Sequence, residues 1–277
     1  MAQSQAIAER EKDEALALDL HHVPFETDDG LDARASIGLL VLSSDRVIEV
    51  EFRRVFEHCG VALYHSRIYN DAAVTPENLK QMEQRLTATT DLICPGVALD
   101  VMGFGCTSAS MVIGEERVAA RIREARPGVA CTTPMTAAFA AFKALGVSNV
   151  ALFTPYIDDI NQAMRRHIEA QGFRVTAMGS FNEEDDPTVA RITLESVEQA
   201  ALQVGAPDAV EAVFVSCTNL RLLDGAAALE DKLGKPVTSS NHAMAWHSLR
   251  LAGIEDSLPQ FGRLFTLGLD GKPAVGP

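Results

Sequence analysis

From Ser36 onward the chain alternates short, almost wholly apolar runs with longer stretches in which apolar residues recur at helical spacing. IGLLVL (37–42), VALYHSRI (61–68), VALDVMGFG (97–105) and Val129–Thr132 read as strands. Between them lie helical patterns at Val47–His58, after Pro76, at Ile113–Ala125 and at Met135–Leu145, the last closed by Gly146 as a C-cap. The order then begins again. VALFT (150–154), RVTAMG (174–179), AVFVS (212–216) and PVTSS (236–240) are the strands of a second series. Its helices are Ile157–Gln171, ended by Gly172, a stretch from Pro187 to about Val204, Leu223–Leu233 and Ala243–Leu251. Strands alternating with helices of this length predict an α/β fold with parallel sheets covered on both faces.

The two series register as a repeat. LVLSSD (40–45) lies over ALFTPY (151–156), and GFGCTS (103–108) over FVSCTN (214–219), both at an offset of 111 residues. ACTTP (130–134) and TSSNH (238–242) follow at 108. This predicts a polar N-terminal extension over 1–35, helical near Ala8–Leu20 with a loop at Asp28-Asp29-Gly30, then two pseudo-symmetric lobes over 36–146 and 147–277.

Parallel sheets place ligands beyond the carboxyl ends of their strands. Six polar clusters stand there: Ser43-Ser44-Asp45, Cys106-Thr107-Ser108, Thr132-Thr133, Thr154-Pro155-Tyr156, Cys217-Thr218-Asn219 and Ser239-Ser240-Asn241. Cys106 and Cys217 are symmetry mates under the 111-residue offset, each followed by Thr. A thiol at a helix start is expected to ionise more readily than usual. Two such thiols facing one substrate suit proton abstraction beside a carboxylate from one face and proton return on the other, with neither metal nor coenzyme. Cys59, Cys94 and Cys131 read as packing residues, and His242 and His247 as surface or packing groups near the cleft. Glu183-Glu184-Asp185-Asp186 reads as a solvated loop, and Gly103-Phe104-Gly105 lacks the rest of a dinucleotide fingerprint.

Composition narrows the partners. The 277 residues carry a formal charge of −14, which opposes nucleic acid and anionic lipid as partners. The five cysteines form no C-x-x-C pair, which suits reduced thiols in a cytoplasm. No leader-like or membrane-spanning apolar run is legible, so a soluble cytoplasmic protein is expected.

Cys-Thr-Ser and Cys-Thr-Asn after strands at this separation, with TPYIDDIN (154–161) between them and FGRLF (261–265) near the end, resemble the aspartate/glutamate racemase superfamily. Within it the sequence is most similar to the branch of maleate cis–trans isomerases, arylmalonate decarboxylases and racemase-like proteins of ectoine utilisation. The resemblance implies two Rossmann-like lobes with the active site in the cleft between them, in a homodimer or homotetramer. It implies Cys106 and Cys217 as the catalytic pair, with Ser44, Thr107, Ser108, Tyr156, Thr218 and Asn219 around a substrate carboxylate. The decarboxylases of this branch have Gly where Cys106 stands, so two cysteines favour racemisation or isomerisation. Maleate isomerases place Asn at the positions of Asp45 and Asp186. An ionised Asp about 4 Å from a carboxylate opposes it by roughly 4 kcal/mol at an effective dielectric near 20, so an ammonium or amidinium fits better there, unless Asp45 turns inward as a helix cap.

The first expectation is therefore a racemase or epimerase acting on an amino-acid-like carboxylate, with ectoine breakdown as the setting the resemblance suggests. The second is a cis–trans isomerase of the maleate type, in which Cys106 adds covalently to the alkene and Cys217 supplies a proton. The third is a small-molecule binding protein without catalysis, which would have no need of paired thiols.

Overall fold

The computed structural model describes Leu18 and residues 20–71 and 76–274. The helix expected near Ala8–Leu20 lies almost wholly outside the described residues. In the stretch up to Gly30, Asp28 Oδ1 accepts the Gly30 N–H at 2.9 Å and Gly30 has φ 81°, the loop its Asp-Asp-Gly sequence predicts. Leu31–Pro277 form a separate compact unit.

The first half of that unit runs β1 (Ser36–Leu42), α1 (Ile48–Cys59), β2 (Ala62–Ile68), α2 (Pro76–Asp91), β3 (Val101–Gly105), α3 (Thr107–Ile113), α4 (Glu115–Ala125), β4 (Ala130–Thr132) and α5 (Pro134–Leu145). The second runs β5 (Asn149–Thr154), α6 (Asp158–Ala170), β6 (Arg174–Ser180), α7 (Asp186–Val189), α8 (Leu194–Gly205), β7 (Ala212–Val215), α9 (Ala226–Leu233), β8 (Val237–Ser239) and α10 (Ser240–Leu251). The strands make two parallel sheets of one topology, β2-β1-β3-β4 and β6-β5-β7-β8. Every residue of β1, β3 and β7 is buried, which is why these strands read as unbroken apolar runs. In each sheet the chain leaves the first strand to one side and then crosses to the other. The crevice at that switch opens at the strands' carboxyl ends, where a cysteine follows the next strand.

The repeat is close but not strict. Ile37 pairs with Val101 and Val150 with Ala212, so partners stand 64 residues apart in one sheet and 62 in the other. The constant 111-residue offset therefore belongs to the turns at the strand ends rather than to the strand register.

One apolar cluster joins the two sheets, taking in Leu39 and Val41 from the first, Leu152 and Phe214 from the second, and Phe142 and Trp246 from the helices. α5 and α10 supply that middle layer, and Phe142 meets Phe214 edge-on at 5.5 Å. In α10 every residue from Ser240 to Arg250 is buried. Arg250 sits inside because its guanidinium donates to the carbonyls of Leu267, Ile254, Asp256 and Phe265, fixing the Phe261–Phe265 tail.

Three local expectations differ from the structure. A separate helix, α3, starts directly after Cys106 and ends at Gly114; its Thr-Ser-Ala-Ser start lacks the apolar stripe that marks a helix in sequence. The stretch after Pro187 divides into α7 and α8, because Thr193 caps a new start by accepting the Ser196 N–H. Val97–Asp100 lies outside β3, and the Asp100 carboxylate accepts the Ser36 N–H at 2.7 Å.

The glycine before Cys106 is a packing glycine. A Cβ on Gly105 would stand 2.8 Å from Ile48 Cδ1 and 3.2 Å from the Leu40 carbonyl oxygen, so α1 lies directly over it. Gly105→Ala is expected to cost about 1–3 kcal/mol in urea unfolding, and unchanged stability would contradict this close approach.

Candidate active site

The carboxyl ends of three strands in each sheet enclose one cavity of about 290 Å3, room for roughly ten water-sized groups. Asp45 reaches it from beyond β1, Asn70 and Asp71 from beyond β2, and Cys106 through Ala109 from beyond β3. From the other sheet come Pro155 through Ile157 after β5, Glu183, Glu184 and Asp186 after β6, and Cys217, Thr218 and Asn219 after β7. Both cysteines expected to work together are thus on its wall, with Asp45, Thr107, Ser108, Tyr156, Asp186, Thr218 and Asn219.

Each sulfur meets neutral donors. Cys106 caps α3, accepting the Ala109 N–H at 3.4 Å, with the Ser108 hydroxyl 3.8 Å away. Cys217 accepts the Asn219 N–H at 3.4 Å, and the Tyr156 hydroxyl serves it as well. The expected easing of ionisation does not follow. Burial pushes each thiol up to about 12, against the pull of these donors and with the Asp186 and Asp45 charges adding to the rise. The short helix after Cys106 cannot offset this burial, Cys217 is followed by a turn and not a helix, and among the described residues no cation lines the cavity. Burial likewise lifts the Tyr156 phenol well above its ordinary value, with the neighbouring sulfurs adding to it.

Several expected contacts turn out to hold the two halves together. Ser44 lies behind the wall, where its hydroxyl donates to Asp186 Oδ2 at 2.7 Å and accepts from Asn70 Nδ2 at 2.9 Å. The Asn219 side chain accepts the Arg46 N–H at 2.9 Å, and the Thr107 hydroxyl meets that of Ser240 at 2.9 Å. Asn161, within TPYIDDIN, donates to the Tyr156 carbonyl at 2.7 Å and holds the turn that presents the phenol.

The clusters after β4 and β8 do not line the cavity. Thr133 caps α5 and Ser239 caps α10, which is how strand-end hydroxyls serve when no ligand is there to meet. His242 bonds Thr238 and the Phe261 carbonyl and His247 bonds Thr132; burial pushes both down to about 4, leaving them neutral packing groups. The acidic run is solvated as expected, with Glu184 and Asp185 exposed, but Glu183, Glu184 and Asp186 also line the cavity.

Two features escaped the sequence reading. The turns after β2 and β6 contribute Asn70, Asp71, Glu183 and Glu184, and polar turn residues carry no mark that separates wall from surface. Glu51 is the other. Fully buried on α1, its Oε1 accepts the N–H groups of Leu222 and Leu223, both at 2.9 Å, and its Oε2 accepts from Asn241 Nδ2 at 2.8 Å. It thereby fixes the segment that follows Cys217. Its position in the apolar stripe Ile48, Phe52, Val55 was a usable signal.

A shared cavity between two like α/β lobes, with one cysteine from each on its wall, defines the class: the maleate isomerase and arylmalonate decarboxylase branch of the aspartate/glutamate racemase-like fold. The chain belongs to the arylmalonate decarboxylase (Amdase) family, whose profile matches residues 68–265. It is 35% identical over 147 residues to arylmalonate decarboxylase of Bordetella bronchiseptica, a match spanning 52% of this chain and 60% of that protein. It is 27% identical over 238 residues to maleate isomerase of Nocardia farcinica, covering 82% of this chain and 94% of that one. A cysteine-to-serine mutant of the Nocardia farcinica maleate cis–trans isomerase, carrying a covalently bound succinylcysteine intermediate, superposes with a TM-score of 0.76 at 26% identity over 83% of this chain and 98% of that one. Among the described residues no helix is long and apolar enough to cross a membrane.

Asp45 supplies a test of the cavity's electrostatics. Burial lifts it from 3.8 to about 6, against hydrogen bonds from the Ile48 and Val47 N–H groups. The folded protein therefore binds this proton more tightly than the unfolded chain, and stability drains away as pH rises through about 6. The advantage of Asp45→Asn over wild type in unfolding free energy should grow by up to about 3 kcal/mol between about pH 4 and about pH 7. A difference that stays constant with pH would show Asp45 to be solvated.

Proposed function

We propose that the chain is a cofactor-independent isomerase in which Cys106 and Cys217 work on one small carboxylate from opposite walls of the cavity. The observation that carries this reading is the equivalence of the two thiols. Each follows the third strand of its sheet, each is buried, and each accepts a backbone N–H with a hydroxyl close by, that of Ser108 at Cys106 and that of Tyr156 at Cys217. These bonds strengthen as a sulfur gains charge, so they favour a thiolate formed during reaction over one at rest.

The relatives favour the cis–trans form of this chemistry, given the succinylcysteine found in the Nocardia isomerase. The Cys106 sulfur adds to one alkene carbon as its proton passes to the substrate carboxylate, to be recovered when the C–S bond breaks; the C–S bond forms as the π pair moves onto the neighbouring carbon. The Cys217 thiol gives that carbon its proton. After rotation about the new single bond, the Cys217 thiolate takes a proton back, the C–S bond breaks and the alkene re-forms in the other geometry. No electron or atom is lost, so no redox partner or coenzyme is called for.

One observation keeps inversion of an α-carbon as a second reading. Two buried thiols stand in like places, one after the third strand of each sheet, as suits two groups that exchange the roles of acid and base with the direction of reaction.

The test is turnover in D2O of cis-unsaturated carboxylates and of single amino-acid enantiomers by wild type, Cys106→Ser and Cys217→Ser. Each substitution should lower turnover on the order of a thousandfold. Trans product supports the first reading, and inverted product deuterated at the α-carbon supports the second. No turnover across the panel, or turnover that survives either serine, contradicts both.

A further inference from the structure

We propose that the cavity selects a small carboxylate whose far end carries a positive charge, an ammonium or an amidinium, held against Asp45 and Asp186. This rests on the reading of the cavity as the active site and goes further, to the class of substrate it takes.

The first support is the balance of charge on the wall. Asp45, Asp71, Glu183, Glu184 and Asp186 line the cavity, and no Lys, Arg or His does so among the described residues. The guanidinium of Arg67 lies behind the β1 turn but is already engaged. It donates to the carbonyls of Leu42 at 3.1 Å and Asp45 at 2.9 Å and pairs with Glu49 at 2.8 Å. A substrate with two carboxylates would meet these acids with no side-chain cation among the described residues to offset them.

The second support is a hydrogen bond left open. Asp45 is 2% exposed, and its Oδ1 accepts the N–H groups of Val47 and Ile48 at 2.8 and 3.0 Å. The carboxylate thus does turn inward to the start of α1, but with one oxygen only. Its Oδ2 is buried without a hydrogen-bond partner, and the nearby Thr218 hydroxyl eases the charge without completing that bond. Buried polar atoms left open are rare, because each forfeits its hydration with nothing in return. An ammonium or amidinium N–H supplies the missing donor together with the missing charge. Asp186, reaching in from the other lobe, gives the same group a second acceptor: its Oδ2 takes the Ser44 hydroxyl, leaving Oδ1 available to the cavity. Among the described residues no three His, Cys, Asp or Glu converge as a metal site, so an organic cation fits these acids better than a metal ion.

The two readings can be tested apart. β-Alanine, butyrate and succinate share a carboxylate and two methylenes and end in ammonium, methyl and carboxylate. Each is titrated calorimetrically into the full-length protein near pH 8 with EDTA present. The expected order of affinity is β-alanine, then butyrate, then succinate, with about tenfold or more between the first and last. Asp45→Asn, which keeps an oxygen for the α1 amides, should narrow that ratio by about tenfold, and Asp186→Asn should move it the same way. Succinate binding as tightly as β-alanine, no saturable binding of β-alanine, or a ratio unmoved by both substitutions overturns the inference. None of those results touches the two-thiol chemistry, which the serine substitutions test separately.

Discussion

A buried carboxylate on the first lobe holds the working segment of the second. Glu51 lies on the inner face of α1 and accepts three hydrogen bonds, two from the backbone just beyond Cys217 and one from Asn241 at the start of α10. Asn241 passes the restraint on by donating to the Thr218 carbonyl at 2.8 Å. Removing the acceptor would leave several donors buried and open, so the arrangement is held by the cost of breaking it. Around this tie the Ser44–Asp186 and Asn219–Arg46 bonds close the seam between the sheets. The position of Cys217 relative to Cys106 is thus set by polar contacts at the seam and by the apolar layer of α5 and α10 beneath it.

That seam creates an unusual electrostatic setting. Two thiols and two aspartates share a small space with backbone and hydroxyl donors and, among the described residues, no side-chain cation. At rest such a site holds its thiols protonated. Charge becomes tolerable there only when a substrate brings a compensating group or when a developing thiolate draws on donors already in position. Under the proposed function, the burial that holds the thiols protonated at rest also strengthens these donors once charge develops on sulfur.

The parts of this arrangement legible in the sequence were those with a residue-type signature or a period. Fully buried strands announced themselves as apolar runs, and the repeated strand-end turns put Cys106 and Cys217 in equivalent places before any coordinates. Features set by tertiary packing were not legible. Thr133 and Ser239 look like site residues because caps and ligand-binding turns use the same hydroxyls. Asn70, Asp71, Glu183 and Glu184 look like ordinary turn residues, since sequence does not say which turns face each other across a seam. The thiols' ionisation is not legible for a related reason: a helix start can be read at Cys106, but the depth of burial that overrides it belongs to both lobes together.

The central claim is that one cysteine from each half faces the same small space. Sulfur anomalous scattering from a crystal of the native protein tests it directly, because it does not call on the thiols to react. The account predicts that the Cys106 and Cys217 sulfurs both stand on the wall of one cavity. Sulfurs that open into separate spaces would contradict it.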